Sequence, residues 1–289
     1  MKYLNVLFSS ALVITLTSCM DSKLPKYVEL NELRVLTLIS DKPEVNPGES
    51  VTITPIVSDV NETTSLNFEA SGCIDPGVAL GAEPSCASNA TKVTLGTGTI
   101  TSATNAEMAQ NFTGTATSFS ATIPTDAIIF NQRSETDKHN GVGYLIEYKI
   151  SNTRGQSVNT IKRILVSNKS SGQKNLNPIV DQLQSNGVGL GNNDFPLNGK
   201  FTINMIFNTN SFQVYTLKKD DGSTENKSEE LTTTWFITDG VLKYFRSSNQ
   251  DTNEYEAPAT VPTTRKSFLI SISRDSRGGS TYKRICGGC

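Results

Sequence analysis

Ile150-Ser151-Asn152-Thr153-Arg154-Gly155-Gln156-Ser157 recurs later in the chain as Ile272-Ser273-Arg274-Asp275-Ser276-Arg277-Gly278-Gly279-Ser280. Each copy is followed by Lys-Arg-Ile, at 162–164 and again at 283–285. Alternating apolar residues flank both copies, and glycine supplies the positive φ that a tight hairpin turn needs. The repeated stretch therefore predicts two β-hairpins, one in each half of the chain.

Further pairs of similar segments lie upstream of the two hairpins, in the same order in each half. Residues 50–57 resemble residues 200–207, and residues 66–72 resemble residues 234–240 more loosely. Apolar residues in these segments alternate with polar ones, which is typical of half-buried strands. Short strands separated by turns, without crossover helices between them, predict an all-β fold of two tandem antiparallel sandwiches.

The positions of the similar segments and of the polar stretches predict the domain boundaries. We expect a first sandwich over 33–168, a flexible linker over 169–176 and a second sandwich over 177–289, because residues 167–175 are polar throughout. Tyr27–Leu33 is expected either to form one short helix or to extend the first strand.

The N-terminus has the pattern of an export signal. Lys2 precedes a mostly apolar run from Leu4 to Leu16, which is too short to span a bilayer. The run ends in Leu16-Thr17-Ser18-Cys19, which resembles the lipobox of bacterial lipoproteins. This resemblance implies that residues 1–18 are a signal peptide, that Cys19 carries palmitate-type acyl chains, and that residues 19–32 are a lipidated tether.

Acylation would fix the protein to a membrane, since each buried CH₂ contributes about 0.8 kcal/mol. In the lipoprotein family, an Asp directly after the acylated cysteine favours the inner membrane. Met20 occupies that position here, with Asp21 one further on, which favours the outer membrane.

The repeated units resemble the bacterial immunoglobulin-like and PKD-like domains of surface lipoproteins. Three segments carry this resemblance: the Trp235 strand ending in Asp239-Gly240, the segment Tyr255-Glu256-Ala257-Pro258, and the second hairpin, Arg274–Gly279. The cysteine pair that links two strands in antibody-type domains is missing. The resemblance implies Ig-like sandwiches that bind a partner or act as structural spacers, and that have no catalytic role.

The two units differ in their middle regions. The distance from Phe68 to Ile150 is 82 positions, whereas Phe236 to Ile272 is 36. Loops that vary between repeats carry function more often than the shared strands. We therefore expect the partner-binding loops within Cys73–Gly143, together with added strands at Lys92–Leu95 and Phe119–Ile123. The mixed-charge run 218–227 in the second unit is expected to be a solvated hairpin tip.

Four cysteines besides Cys19 are expected to form disulfides in an exported protein. Cys73 and Cys86 flank a loop, and closing it contributes about 3 kcal/mol in the chain-entropy model. Cys286 and Cys289 form a CxxC, for which a local disulfide is the favoured interpretation. An intermolecular bond is the second, and dithiol redox chemistry the third.

Other polar or aromatic patterns have simpler structural interpretations. Glu135, Asp137 and His139 could share a metal on one face of a strand, but their polar surroundings favour a solvated loop. Gly187–Gly191 lacks the flanking strand and helix of a phosphate loop and is read as a turn. Trp235, despite Tyr244, Phe245 and Tyr255 nearby, is expected to lie in the core and not to form a glycan platform.

Composition limits the classes of function. A net charge of −2 gives no broad basic field for nucleic acid, and a single histidine disfavours most His-based catalysis and multi-His metal sites. We expect no cofactor or metal and a non-enzymatic envelope protein that binds an envelope protein or a glycan. The alternatives are a structural spacer and, less favoured, a thiol-redox or metal-dependent enzyme.

The lipobox generates a direct prediction. Cys19→Ala removes the thiol that would accept the diacylglyceryl group, so the precursor should stay uncleaved and should incorporate no labelled fatty acid. Radiolabelling of cells that produce each form measures this. Continued incorporation of label by the variant would show that the lipoprotein interpretation is wrong.

Overall fold

The computed structural model describes residues 27–62, 64–77 and 84–289. In the first half of the chain, seven strands precede two short helices and two further strands follow. These elements are β1 (Arg34–Ser40), β2 (Glu44–Val45), β3 (Ser50–Ser58), β4 (Ser65–Ile74), β5 (Val93–Thr101), β6 (Thr113–Thr115), β7 (Phe119–Thr122), α1 (Asp126–Ile129), α2 (Glu135–Asn140), β8 (Val142–Asn152) and β9 (Ser157–Val166).

The second half contains strands and two single 3-10 turns, at Ser171–Gln173 and Thr209–Ser211. Its strands are β10 (Val180–Ser185), β11 (Val188–Gly189), β12 (Gly199–Phe207), β13 (Val214–Lys218), β14 (Thr224–Ser228), β15 (Thr232–Ile237), β16 (Val241–Leu242), β17 (Arg246–Ser248), β18 (Asn253–Ala257), β19 (Ser267–Arg274) and β20 (Ser280–Gly287). Strands make up 49% of the described residues and helix 6%, which confirms the all-β prediction.

Two sheets face one another in each half. The first half pairs β1-β3-β6, with β7 also on β3, against β2-β9-β8-β4-β5; the second pairs β11-β10-β12-β18-β16 against β17-β15-β19-β20. Among the described strands, all pairings are antiparallel except β2 with β9, and an isolated parallel bridge joins Glu29 to Ile237 of β15. The order β4-β8-β9 recurs as β15-β19-β20, so the tandem antiparallel sandwiches have the predicted arrangement. Among the described residues, no sheet joins strands from the two sides of 169–176.

The two predicted hairpins share one turn geometry. The Asn152 side-chain oxygen accepts hydrogen bonds from the backbone N–H of Arg154, at 3.1 Å, and of Gln156, at 2.9 Å. The Asp275 carboxylate accepts the equivalent bonds from the second turn, at 2.9 and 2.7 Å. Gly155 lies at φ 83° in the first turn, where other L-residues are strained.

This shared turn corrects the alignment of the repeats by one residue. Asn152 matches Asp275, so Ile150 corresponds to Ser273 and not to Ile272. Because side chains alternate between the faces of a strand, the shift reverses the face on which the apolar residues lie. Ile150 belongs to the core of the first sandwich, whereas Ile272 points away from the core of the second.

Each sandwich has its own apolar core. Tyr148 of the first stacks between Phe68 and Phe119, with ring centroids 5.7 and 5.8 Å away. Trp235 is fully buried in the second, as predicted, and its indole N–H donates to the Ser247 hydroxyl at 3.0 Å. Aromatic rings of this size contribute much of the apolar area that each core removes from water.

A third apolar cluster joins the two sandwiches. Phe268, Ile270 and Ile272 on the outer face of β19 pack with Leu36 and Ile56 on the outer face of the β1–β3 sheet. All five side chains are buried. The sheets of the two sandwiches are therefore packed face to face, and strand β19 is buried on both of its faces.

Buried ions lie beside this apolar contact. The Glu44 carboxylate accepts a hydrogen bond from the Asn175 N–H at 2.7 Å and lies 3.3 Å from the Lys169 ammonium and 3.4 Å from the Arg277 guanidinium. Arg277 also pairs with the buried Glu229. The carboxylates of Glu44 and Glu229 thus pair with the cations of Lys169 and Arg277, and Glu44 also accepts a backbone hydrogen bond. Such networks fix geometry more reliably than they add stability.

Two segments outside the predicted sandwiches are held by contacts of this kind. The linker prediction was wrong about flexibility within 169–176, since Lys169, Lys174 and Asn175 are buried. In the tether, Leu30 is fully buried and its N–H donates to the Ile237 carbonyl at 2.8 Å. Tyr27–Leu33 thus forms neither a helix nor an extension of β1. The rest of the predicted tether, with Cys19 and the predicted signal peptide, lies outside the described residues.

The packed faces predict a shared stability. Ile270→Ala removes methylene groups from the contact between the sandwiches and should cost about 2–5 kcal/mol of unfolding free energy, measured by urea denaturation. Val188→Ala, at a side chain 68% exposed, is the control and should change it by less than about 0.5 kcal/mol. Equal effects of the two substitutions would mean that the sandwiches separate in solution.

Candidate functional site

The enlarged region Cys73–Gly143 divides into parts with different neighbours. One part, around residues 107–111, packs against the second sandwich. There the Glu107 carboxylate accepts a hydrogen bond from the Tyr282 hydroxyl at 2.7 Å and lies 3.6 Å from the Arg284 guanidinium. The Asn111 side-chain oxygen accepts the Lys266 N–H at 3.0 Å. These residues are occupied in holding the sandwiches together.

Helix α2 makes a second such contact. The Asn140 side chain exchanges two 2.8 Å hydrogen bonds with the backbone of Lys218 at the end of β13. The extra segments of the two units therefore meet one another. The tip of the β13–β14 hairpin remains exposed, as predicted, while its base braces the first sandwich.

The Glu135–His139 segment is a capped helix, which corrects the predicted loop. The Ser134 hydroxyl accepts the Asp137 N–H at 3.0 Å, and the Asp137 carboxylate accepts the Ser134 N–H at 3.2 Å. Glu135 pairs with Lys138 at 2.7 Å. Each carboxylate is thus engaged locally, and the part of the chain that the structure describes holds no cluster of three metal-binding side chains.

Another described part of the enlarged region, around Cys86, is joined to β4 by the predicted Cys73–Cys86 disulfide. Both cysteines are buried and pack on Leu145, apart from the main core. Leu145 points to the outer face of β8, because its neighbours Tyr144 and Ile146 point inward. The disulfide therefore fastens the segment around Cys86 onto the outer face of the sheet.

Beside this disulfide lies a groove of about 640 Å³ across the outer face of β4, β5, β8 and β9. Side chains of both charges line it, namely Glu69, Lys92, Glu147 and Lys149. Hydroxyl and amide side chains add to the lining, namely Ser71, Ser85, Thr94, Thr97, Asn159 and Thr160, and Ala70, Pro84, Tyr148 and Ile161 complete it. We call this surface the outer groove.

Glu147 organises one end of the outer groove. Its carboxylate accepts hydrogen bonds from the Cys86 N–H at 2.7 Å and the Ser71 hydroxyl at 3.1 Å, with the Lys92 ammonium 3.9 Å away. Partial burial opposes ionisation of this carboxyl group. The hydrogen bonds and the lysine outweigh it and hold the pKa of Glu147 below its usual value. An ionised Glu147 thus ties the disulfide-linked segment to the sheet.

Strand β5 forms the edge of the same sheet, and no other strand pairs with its far side in the described ranges. Its sequence, Val93–Thr101, contains no charged residue and no proline. Natural edge strands usually carry such residues to prevent pairing with other chains. A long uncharged edge is able to accept an extended peptide by backbone hydrogen bonds.

The sequence did not identify the outer groove, although one signal was present. Glu147 and Lys149 fall at the polar positions of a strand whose apolar positions were recognised, so an outward polar face was implied. The added strands near Lys92–Leu95 and Phe119–Ile123 are confirmed as β5 and β7.

The other predicted sites have structural roles. Cys286 and Cys289 form the local disulfide, at the end of strand β20 and not at a helix N-terminus. Gly187 lies at φ 77° in the turn between β10 and β11, as predicted. The Tyr255 hydroxyl donates to the Asp239 carbonyl at 2.9 Å inside the second sandwich.

Comparison with known proteins supplies no family. No protein-family model matches the chain, and no curated protein sequence matches it. Its structure is similar to that of Escherichia coli alpha-2-macroglobulin activated by porcine elastase (TM-score 0.27, 8% identity) and of latent PorU from Porphyromonas gingivalis (0.24, 9%). The match covers 90% of this chain in both cases, but only 22% and 24% of those proteins.

A third similar structure is Dpr11 IG1 bound to DIP-gamma IG+IG2 (TM-score 0.22, 6% identity), where 88% of this chain and 97% of the other are covered. These are Ig-like and β-sandwich proteins, in keeping with the sheet topology described above. At such low TM-scores they carry no argument about function. No helix among the described residues is long and apolar enough to cross a membrane.

The pKa of Glu147 generates a pH prediction. Because its pKa is lower in the folded protein than in the unfolded chain, its ionisation stabilises the fold above the unfolded value of about 4.5, and this contribution disappears as pH falls through the lower folded value. Glu147→Gln should therefore lose less stability than the wild type between pH 6 and pH 3, measured by urea denaturation at each pH. Parallel pH curves for the two proteins would contradict the assignment.

Proposed function

We propose that the protein is a lipid-anchored, non-enzymatic binding module of the bacterial cell envelope, with the outer groove and the β5 edge as its binding surface. The observation that carries this proposal is the outer groove itself. It is built on the part of the enlarged region that the second sandwich leaves uncovered, and a disulfide holds its wall in place.

The chemistry of the groove supports binding over catalysis. A general acid or base needs a carboxyl group free to exchange a proton with a substrate near the working pH. Glu147 is instead kept ionised, and it already accepts bonds from Cys86 and Ser71. Side chains of both charges with several hydroxyl groups suit recognition of an extended polar segment.

The edge strand favours a polypeptide partner over a glycan. An extended segment of another envelope protein would pair its backbone with β5 while its alternate side chains lie in the outer groove. The disulfide restricts the wall before the partner arrives, so less conformational entropy is lost on binding.

A structural spacer is the second candidate. The buried contact between the sandwiches, with Glu44 and Arg277 beside it, favours this role because it fixes their relative position. A spacer would need no ligand in the outer groove.

The binding proposal is tested with a phage-displayed peptide library selected on the folded chain. Thr97→Lys places a charge on the β5 edge and in the outer groove, and should weaken the selected peptides about ten-fold or more, equal to about 1.4 kcal/mol. Thr252→Lys, the same change at an exposed loop position of the second sandwich, is the matched control and should not affect binding.

The disulfide provides a second arm of the same experiment. Cys73→Ser/Cys86→Ser should weaken the selected peptides more than it lowers the melting temperature of the second sandwich, followed through Trp235 fluorescence. Peptides that bind all variants equally, or a selection that enriches none, would refute the binding role and leave the spacer. Enrichment on a glycan array alone would refute the polypeptide partner.

A further inference from the structure

Three exposed aromatic side chains lie at one end of the second sandwich: Tyr244 and Phe245 are consecutive in the chain, and Tyr27 packs against Phe245. Tyr27, Tyr244 and Phe245 are 53%, 53% and 50% exposed. The Tyr27 ring contacts the Phe245 ring with centroids 6.0 Å apart. Large aromatic side chains that remain together in water, outside any core, mark a surface that contacts something else.

The patch is held in this position by its backbone. Tyr244 N–H donates to the Asn253 side-chain oxygen at 3.1 Å, and the Tyr244 carbonyl accepts from the Asn253 amide at 2.7 Å. The Phe245 carbonyl accepts the Trp235 N–H at 3.0 Å. Because Asn253 and Trp235 are both buried, this loop is fixed to the core and its two rings are presented outward.

Cations accompany each ring. Arg34 lies 5.9 Å from the centre of the Tyr27 ring, Lys243 5.3 Å from that of Tyr244, and Arg246 5.2 Å from that of Phe245. Lys243 is also paired with Glu254, whereas the other two guanidinium groups add positive charge to the rim. Aromatic rings beside Lys or Arg are the composition that proteins place at the boundary between lipid headgroups and acyl chains.

The position of Tyr27 in the chain identifies the occupant. It lies eight positions after Cys19. Eight residues of any chain span at most about 29 Å when fully extended. An acyl anchor on Cys19 would therefore keep the patch close to the bilayer at all times. At such high local concentration, a weak contact with the membrane is sufficient.

We propose that the patch Tyr27–Tyr244–Phe245 is a membrane-contact surface that rests on the phospholipid bilayer and orients the anchored protein. This inference rests on the proposed lipid anchor at Cys19. With the patch toward the lipid, the rings lie among the headgroups while the arginines meet lipid phosphates.

The test attaches the chain to lipid chemically, so that it does not depend on acylation in the cell. The two disulfides use four of the five cysteines, which leaves Cys19 of residues 19–289 to react with a maleimide lipid in phosphatidylethanolamine–phosphatidylglycerol vesicles. Phe245→Trp places a fluorophore in the patch, in addition to the buried Trp235 that the protein already contains. Lipids brominated in the acyl chain should reduce its emission about two-fold after subtraction of the unsubstituted protein.

Val188→Trp, at the exposed β10–β11 hairpin, is the matched control and should show no quenching. Tyr244→Trp repeats the measurement at a second position of the patch, in case Phe245→Trp perturbs the loop.

Absence of quenching at both patch positions, or equal quenching at the control, would overturn the proposal. Changes in emission that depend on protein concentration and not on bromination would also overturn it, because a second copy would then cover the patch. Failure of the Cys19 labelling experiment, with quenching intact, would refute the natural anchor alone.

Discussion

The arrangement of the whole molecule depends on the apolar contact between β19 and the β1–β3 sheet. Phe268, Ile270 and Ile272 are removed from water there by Leu36 and Ile56 of the other sandwich. A sheet with apolar residues on both faces has to bury both. The two sandwiches of this chain therefore cannot be separate, loosely linked domains. Once these faces meet, the remaining contacts, including the Glu44 network and the brace from α2 to β13, follow from which segments are brought together.

The sequence was sufficient to predict the strands, the shared hairpin turn, both disulfides and the burial of Trp235. Each depends on neighbours that are close in sequence or on one dominant preference. It was not sufficient to predict which face of β19 meets which partner. The alternation of Phe268, Ile270 and Ile272 indicates a buried face of β19 but not what covers it. On the opposite face of the same sheet, Leu269 of β19 and Trp235 of β15 lie in the core of the second sandwich. The one-residue error in the repeat alignment has the same origin.

The binding surface illustrates a similar limit. The extra length of the first unit suggested loops, but much of it supplies strands and core residues of the first sandwich, and residues 107–111 and α2 contact the second. What remains is a sheet face, whose polar positions look like ordinary solvent-exposed residues in the sequence. In the outer groove, a disulfide and Glu147 hold one segment over that face, and the pairing of β4 with β5 shifts register between Ala70 and Ser71. Both conditions depend on contacts between strands, which sequence spacing does not report.

The double burial of β19 also affects how the chain folds. The Arg274 guanidinium at the end of this strand donates to the Leu36 carbonyl of β1, 238 positions earlier in the chain. Contacts between such distant residues form slowly, because a long loop has to close before they are made. Until β19 arrives, a folded first sandwich exposes the apolar outer face of its β1–β3 sheet to water. The hazard of that interval is self-association of partly folded chains through the uncovered face.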